Sequence, residues 1–288
     1  MSGFRKAVKT DRMLRLALVG TTGSGKTYTA LRIARGIAAE MGGGLIGVID
    51  SERDSASLYA DDFDFVTAPI RTGNPNEYVE RIEEAKREGI DVLVIDSMSH
   101  AWIGQEGALR LVDKAAAKTQ SKNTFAAWRT VTPQHDAFVA AVLDYPGHVI
   151  ATMRLKMAYE LQENERGKKE PVKIGLQPVE RDGVEYEFDL VGDIDQAHVF
   201  RVSKTRYSGL DGAVITKPGE ELGAELVRWL KGERKPVTEL GRDELRAELA
   251  SIQRRHGDAY AEIVEHEPQT LREARDVLER LRARTVDA

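Results

Sequence analysis

The 288-residue chain has no cysteine, which excludes disulfides and thiolate-bound metals and fits a reducing, cytoplasmic setting. It also lacks any apolar run near the roughly 20 residues that a bilayer-spanning helix needs. Its basic start, MSGFRKAVKTDRML, lacks the apolar core of a secretory signal, so no membrane association is expected. Nor is there an excess of positive charge, because 42 Lys and Arg against 47 Asp and Glu leave a formal charge of -5. A surface coated in cations is thereby excluded, and any contact with nucleic acid must be local. The histidines His100, His135, His148 and His198 are scattered, unlike the spacing of a transition-metal site, and structural places are expected for them. Internal repeats and low-complexity tracts are absent.

What the chain does contain is an alternation of elements. Leu14 to Val19 (LRLALV) is an apolar run ending in glycine-rich sequence, and TYTALRIARGIAAEM after it has apolar residues at helical spacing. Further strands are predicted at 44–50 (GLIGVID), 63–69 (FDFVTAP), 91–96 (DVLVID) and 147–153 (GHVIATM). Helices are predicted at 76–89, closed by Gly89, and at 123–143, interrupted around Pro133. This alternation predicts an α/β fold with a mostly parallel sheet covered on both faces. Residues 157–176 read as two polar strands around a charged turn, a projecting hairpin. Residues 185–195 and 197–208 read as consecutive antiparallel strands, and 219–233 as a helix. From about residue 234 the chain turns charged and helical, with a capping box at Thr270 and Glu273 and apolar residues at Leu271, Ala274, Leu278 and Leu281. Three parts are expected: a basic arm over 1–13, the core over 14–232 and a small helical appendage over 233–288. The arm reads as loose chain, although its charge also suits a phosphate backbone.

The segment Gly20-Thr21-Thr22-Gly23-Ser24-Gly25-Lys26-Thr27 fits G-x-x-x-x-G-K-[ST] at every fixed position, after a strand and before a helix. Glycines there let backbone N–H groups turn inward around phosphates, at the positive end of the following helix. Together with the adjoining Tyr28, these residues are the candidate contacts for ATP. Lys26 would bridge the outer phosphates, and the Thr27 hydroxyl would ligate Mg²⁺. The metal also needs a carboxylate at the end of a buried strand beside the first. Asp96 is preferred, because its strand is long and the small Ser97 follows; Asp50 is the competitor, with strand-end capping as its other reading. A group that orients water is required too. Glu52, two residues past the second strand, can reach the crevice, with Glu106 and Glu160 as weaker candidates and an ordinary surface glutamate as the alternative. His100, after DSMS, is placed near this site.

Late in the chain, VSKTRYSG reads as a strand on which Lys204 and Arg206 point the same way, with Ser203 and Thr205 behind them. Two solvated cations guarding a strand edge are one reading. Two segments are candidates for single-stranded DNA. One is the hairpin with Arg166, Lys168, Lys169 and Lys173, and the other is Lys114, Lys118 and Lys122 at four-residue spacing on one helical face. Tyr159 is the only aromatic near the hairpin and Glu163, Glu165 and Glu170 dilute its charge, so a solvated hairpin without ligand stands beside the DNA reading. Trp102 and Trp128 are read as core or interface residues.

GVIDSERDSASLYADDFDF followed by NEYVERIEEAKREGIDVLVIDSMSHAW resembles the recombinase RecA and its relatives in order and spacing, over most of residues 14–216. More narrowly, VGTTGSGKTYTALRIARGI, VLVIDSMSHAW, HVIATMRLKMAYE and VSKTRYSGLDG resemble the phage-encoded RecA-core ATPases associated with single-strand annealing and recombination. The resemblance implies a RecA-like P-loop core, with Glu52 as the catalytic glutamate and Asp96 as the Walker B acid. It implies that Lys204 and Arg206 reach the ATP site of a neighbouring subunit, in a ring or filament. It places Arg154, with Lys156 as a second candidate, where relatives sense the terminal phosphate; those relatives carry glutamine or another polar residue there, and pairing with an acid of the sheet edge is the other reading. The expectation is a Mg²⁺-dependent ATPase acting on single-stranded DNA in phage recombination or annealing, in the host cytoplasm, with a recombination partner protein. A hexameric helicase, or a nucleotide-gated structural or regulatory module without DNA, are the alternatives.

Overall fold

The computed structural model describes residues 12–118, 123–163, 169–233, 237, 240–255, 257–264 and 266–285, with backbone alone at 157–163, 169–176, 255 and 285. In chain order the elements are β1 Arg15–Gly20, α1 Lys26–Glu40, β2 Ile46–Asp50, β3 Val66–Pro69, α2 Pro75–Arg87, β4 Val92–Asp96, α3 Ser99–Ile103, α4 Ala108–Ala117 and α5 Thr124–Leu143. There follow β5 His148–Glu163, β6 Lys169–Pro178, β7 Leu190–Ile194, β8 Val199–Thr205, β9 Val214–Thr216, α6 Glu220–Lys231, α7 Arg242–Arg255, α8 Gly257–Ile263 and α9 Leu271–Thr285.

Successive strand residues face opposite ways, and here the two resulting faces build two cores. Leu16, Leu18, Val48, Val94 and Ile150 point to one side and pack with Leu31, Ile33 and Leu226 of α1 and α6. Ala17, Val19, Ile49, Leu93, Ile95 and Ala151 point to the other and pack with Tyr78, Ile82, Phe138 and Val142 of α2 and α5. The order is β3-β2-β4-β5-β1-β7-β8-β9, with β6 paired to β5 beyond the main sheet. From β3 to β7 the pairings are parallel; β7–β8, β8–β9 and β5–β6 are antiparallel. This is the α/β core expected, with a mostly parallel sheet and antiparallel late strands. Helices α1 and α6 approach backbone to backbone: a Cβ on Gly36 would lie 2.1 Å from Glu220 O, and one on Gly223 2.3 Å from Ile33 O.

Three local expectations change. The helix over 123–143 is continuous through Pro133. Its buried residues Ala127, Val131, His135, Phe138 and Val142 keep one face on both sides of the proline, so packing holds the helix where a backbone bond is missing. Short helix α3 follows β4, where no element was expected, and α4 starts at Ala108 and ends at Ala117, so the helical face expected through Lys114, Lys118 and Lys122 is cut short. The strand bearing the late cations ends at Thr205, one residue before Arg206, and its register shifts between Val191 and Gly192.

The chain divides into two compact units, residues 1–232 and 233–288. In the second, Leu245, Leu249, Ile252, Leu278 and Leu281 form a core of their own. The N-terminus of α9 is closed by Glu273 N donating to Thr270 Oγ1 at 3.2 Å and Gln269 N donating to Glu273 Oε2 at 2.9 Å. Among the described residues no helix is long and apolar enough to cross a membrane.

Candidate nucleotide site

At the carboxyl end of β1 the chain turns sharply into α1. Gly23 and Gly25 take φ of 79° and 83°, the left-handed region that glycine enters without penalty. Gly20 admits no side chain, because a Cβ would lie 2.5 Å from Ser24 Oγ and 2.7 Å from Ile194 O. Lys26 Nζ donates to Thr21 O at 2.9 Å and so lies inside the turn. Burial pulls its ammonium below the ordinary value, against the opposing pull of Asp96 and Glu52. Tyr28, on the first turn of α1, is partly exposed and meets Tyr59 and Phe63 edge-on at 5.5 and 5.2 Å between ring centres.

Thr27 Oγ1 donates to Asp96 Oδ2 at 2.5 Å, and Thr152 Oγ1 donates to Asp96 Oδ1 at 2.5 Å. Burial pushes the Asp96 carboxyl up, while the Thr152 and Thr27 hydroxyls hold it down. The strand of Asp96 was expected beside β1; instead β5 lies between them. The gap closes because α1 packs back across β5 and β4, which sets Thr27 over the end of β4. Asp50 faces elsewhere: its carboxylate accepts Glu52 N at 2.5 Å and Ala56 N at 2.9 Å, fixing the turn after β2.

That turn aims Glu52 across the sheet edge at Arg154, on β5. Arg154 Nε donates to Glu52 Oε1 at 3.0 Å, and Nη2 donates to Oε1 at 2.7 Å and to Oε2 at 2.6 Å. Ser51 Oγ meets His100 Nδ1 at 2.8 Å, and burial, then Arg154, lowers the His100 pKa. Lys26, Thr27, Asp96, Glu52 and Arg154 therefore line one crevice. Glu106 lies outside it, bonded to Lys114 at 3.2 Å on exposed surface.

Among the described residues no group of three or more His, Cys, Asp or Glu side chains converges on a metal-sized site. The oxygen pair of Thr27 and Asp96 does suit Mg²⁺, a hard cation that takes few protein oxygens and keeps water and substrate phosphate for the rest.

Lys204 and Arg206 both turn toward residues 186–189 of their own chain. Lys204 Nζ donates to Tyr186 O, and to Phe188 O at 2.5 Å. Arg206 Nε lies 3.3 Å from the buried Asp189 carboxylate, which Arg12 also approaches at 3.3 Å. Lys204 pairs with Val191 and Thr205 with Leu190, whereas Gly20 of the loop pairs with Ile194. The two cations thus sit at the end of the sheet opposite their own phosphate loop.

Of the residues considered for DNA, Lys114 is engaged with Glu106 and Lys118 caps α4, which ends at Ala117; the single helical face through all three lysines is not formed within the described residues. Lys122, Arg166 and Lys168 lie outside the described residues. Lys169 and Lys173 are placed on β6 by backbone alone, within the antiparallel β5–β6 pair. Trp102 and Trp128 stack at 5.5 Å between ring centres, against the cluster of Val112 and Val131.

Four residues at the site were given no place there from sequence: Ser51, Thr152, Gln196 and His198, the last expected only to be structural. Thr152 had a signal, a lone hydroxyl in the apolar run HVIATM. The others lie in turns whose partners are distant in the chain, and nothing local marks them.

Residues 12–216 match the family described as AAA domain, AAA_24. No curated protein matches the chain. Among solved structures, a KaiC-like protein from the hyperthermophilic archaeon Pyrococcus horikoshii is similar over 71% of this chain and 86% of its own, at 18% identity and a TM-score of 0.38.

Proposed function

The chain belongs to the AAA domain family and carries a P-loop ATPase core of RecA-like fold, and from that premise we propose that it hydrolyses ATP with Mg²⁺ at a site completed by a second subunit. The observation that carries the reading is the 2.5 Å bond from Thr27 Oγ1 to Asp96 Oδ2, with Lys26 and the Glu52–Arg154 pair in the same crevice. Residues Gly20 to Thr27 would receive the triphosphate through N–H groups, with Lys26 on the outer phosphates. Thr27 and Asp96 would hold Mg²⁺, which when bound neutralises charge on the phosphate oxygens. Glu52 would orient and deprotonate the attacking water, and Arg154 would sense the terminal phosphate.

Beyond Lys26 and Arg154, the reading calls for further positive charge at the transition state. Lys204 lies three residues and Arg206 five residues down the sheet from the loop of their own chain, roughly 10–17 Å along the strands, so the reading assigns them to a neighbour's site and not to their own. A head-to-tail interface, which closes into a ring or winds into a filament, brings unlike faces together in this way. Cations delivered across such an interface supply about three to five powers of ten in rate.

As its finer part, the proposal assigns the assembly to single-stranded DNA in recombination or annealing. Support comes from the likeness of the P-loop, DSMSHAW and KTR segments to phage recombination ATPases, and from Lys169 and Lys173 on β6. The test is ATP turnover with and without single-stranded DNA. Strong stimulation is expected. No stimulation at any DNA concentration would leave an ATPase that gates a protein partner, and the DNA assignment would fall.

A further inference from the structure

A loop that turns its N–H groups inward around phosphate oxygens turns carbonyls outward, and those carbonyls need donors of their own. Here the donors come from the turn between β7 and β8, Asp195 to His198. Gln196 Nε2 donates to Thr22 O at 2.8 Å and to Thr21 Oγ1 at 3.0 Å. His198 Nδ1 lies 3.0 Å from Ser24 O; a carbonyl only accepts, so the ring proton sits on Nδ1. The fit is close, since a Cβ on Gly25 would lie 2.9 Å from that nitrogen.

The turn is itself well fixed. Asp195 Oδ1 accepts Ala197 N at 2.9 Å and Val199 N at 3.0 Å, His198 N donates to Asp195 O at 3.0 Å, and Lys217 N donates to His198 O at 2.8 Å. His198 is held at φ 60°, a left-handed conformation costly to a residue with a side chain. In the sheet order, β7 and β8 lie across β1 from the strands that carry Glu52, Asp96 and Arg154. The turn therefore grips the loop from the flank away from the hydrolytic groups.

We propose that Gln196 and His198 are positioning residues for the phosphate loop. They anchor the outward oxygens of Thr22 and Ser24, so that the loop's N–H groups are already aimed when the triphosphate arrives. The proposal rests on the reading of this loop as the ATP site. Because both side chains hold the loop and not the reacting atoms, their loss falls on nucleotide affinity more than on the chemical step.

The test uses the full chain and three variants: Gln196→Ala with His198→Gly, His198→Gly alone, and His198→Asn. Glycine removes the ring without penalising the left-handed backbone, and asparagine tolerates that backbone while keeping an N–H donor. Binding of a fluorescent ATP analogue, steady-state turnover and thermal unfolding without nucleotide are measured. His198→Gly is expected to weaken binding and raise KM about tenfold, the double variant further, with kcat within about twofold of the parent. Unliganded Tm stays close to the parent value, and His198→Asn recovers most of the affinity. Unchanged affinity in the double variant overturns the proposal. So does weaker binding that tracks a fall in unliganded Tm and that His198→Asn fails to restore, because the turn would then be a general prop. A parent chain that binds no ATP analogue is a distinct result: it removes the ATP reading itself, and the positioning role with it.

Discussion

Arg154 donates from Nη2 to both carboxylate oxygens of Glu52, at 2.7 and 2.6 Å. A carboxylate with both oxygens held by a guanidinium is not free to turn toward an attacking water. An anion that competes for Arg154 would release it, and the terminal phosphate of ATP is such an anion. Glu52→Gln is expected to bind ATP within about threefold of the parent and to lose roughly 10² or more in turnover. Arg154→Ala is expected to lose turnover as well, and Arg154→Lys not to restore it, since an ammonium cannot make the forked contact. Full turnover in Glu52→Gln, measured by phosphate release, would remove it as the base.

Asp96→Asn separates metal binding from folding. The Mg²⁺ concentration for half-maximal turnover should rise about tenfold or more. Tm without nucleotide should hold or rise, because burial already pushes this carboxyl up and an amide escapes that cost. A variant with an unshifted Mg²⁺ curve would dissociate Asp96 from the metal.

Lys26→Ala subunits cannot use their own loop, and Lys204→Ala/Arg206→Ala subunits cannot assist a neighbour. Each alone should be nearly inactive. Mixed, some interfaces would join an intact loop to intact cations, so turnover should recover in part, with a maximum at intermediate ratios. No recovery at any ratio, with assembly verified by light scattering, counts against action across an interface.

His148 supplies a pH signature. Its Nδ1 accepts Leu14 N at 3.0 Å and so must be unprotonated. Burial, then Arg15, lowers its pKa from 6.5 to about 4. Between those values the unfolded chain binds more protons than the folded one. The contribution is therefore complete above pH 6.5 and lost as pH falls toward 4, about 3 kcal/mol over the window. Urea midpoints measured from pH 7.5 to 4 should fall less steeply in His148→Asn than in the parent; parallel curves would show that this bond does not sense pH.

The phosphate loop was legible because its chemistry is contiguous: eight residues carry the turn, the ammonium and the hydroxyl. The strands were legible because burial on both faces leaves unbroken apolar runs such as VLVID. What sequence hid was adjacency. The HVIATM strand was recognisable, but nothing in it says that it slides between LRLALV and VLVID and sets Thr152 against Asp96. Helix α3, SHAWI, is too short to show a period. Helix α4 did carry one, Ala108, Val112 and Ala116 at spacings of four, and its lysines drew attention to the exposed side in its place. Pro133 misled because a missing hydrogen bond is a local fact, whereas the face that holds α5 together runs from Ala127 to Val142, about four turns.

The bare-backbone crossing at Gly36 and Gly223 has a mechanical consequence. With carbonyls of each helix seated against the other's glycine, α1 is keyed to α6 and resists axial creep, so the first turn bearing Lys26 and Thr27 stands on a locked post. Bulk added at either glycine, although it faces no substrate, would jam the post and tilt the cradle.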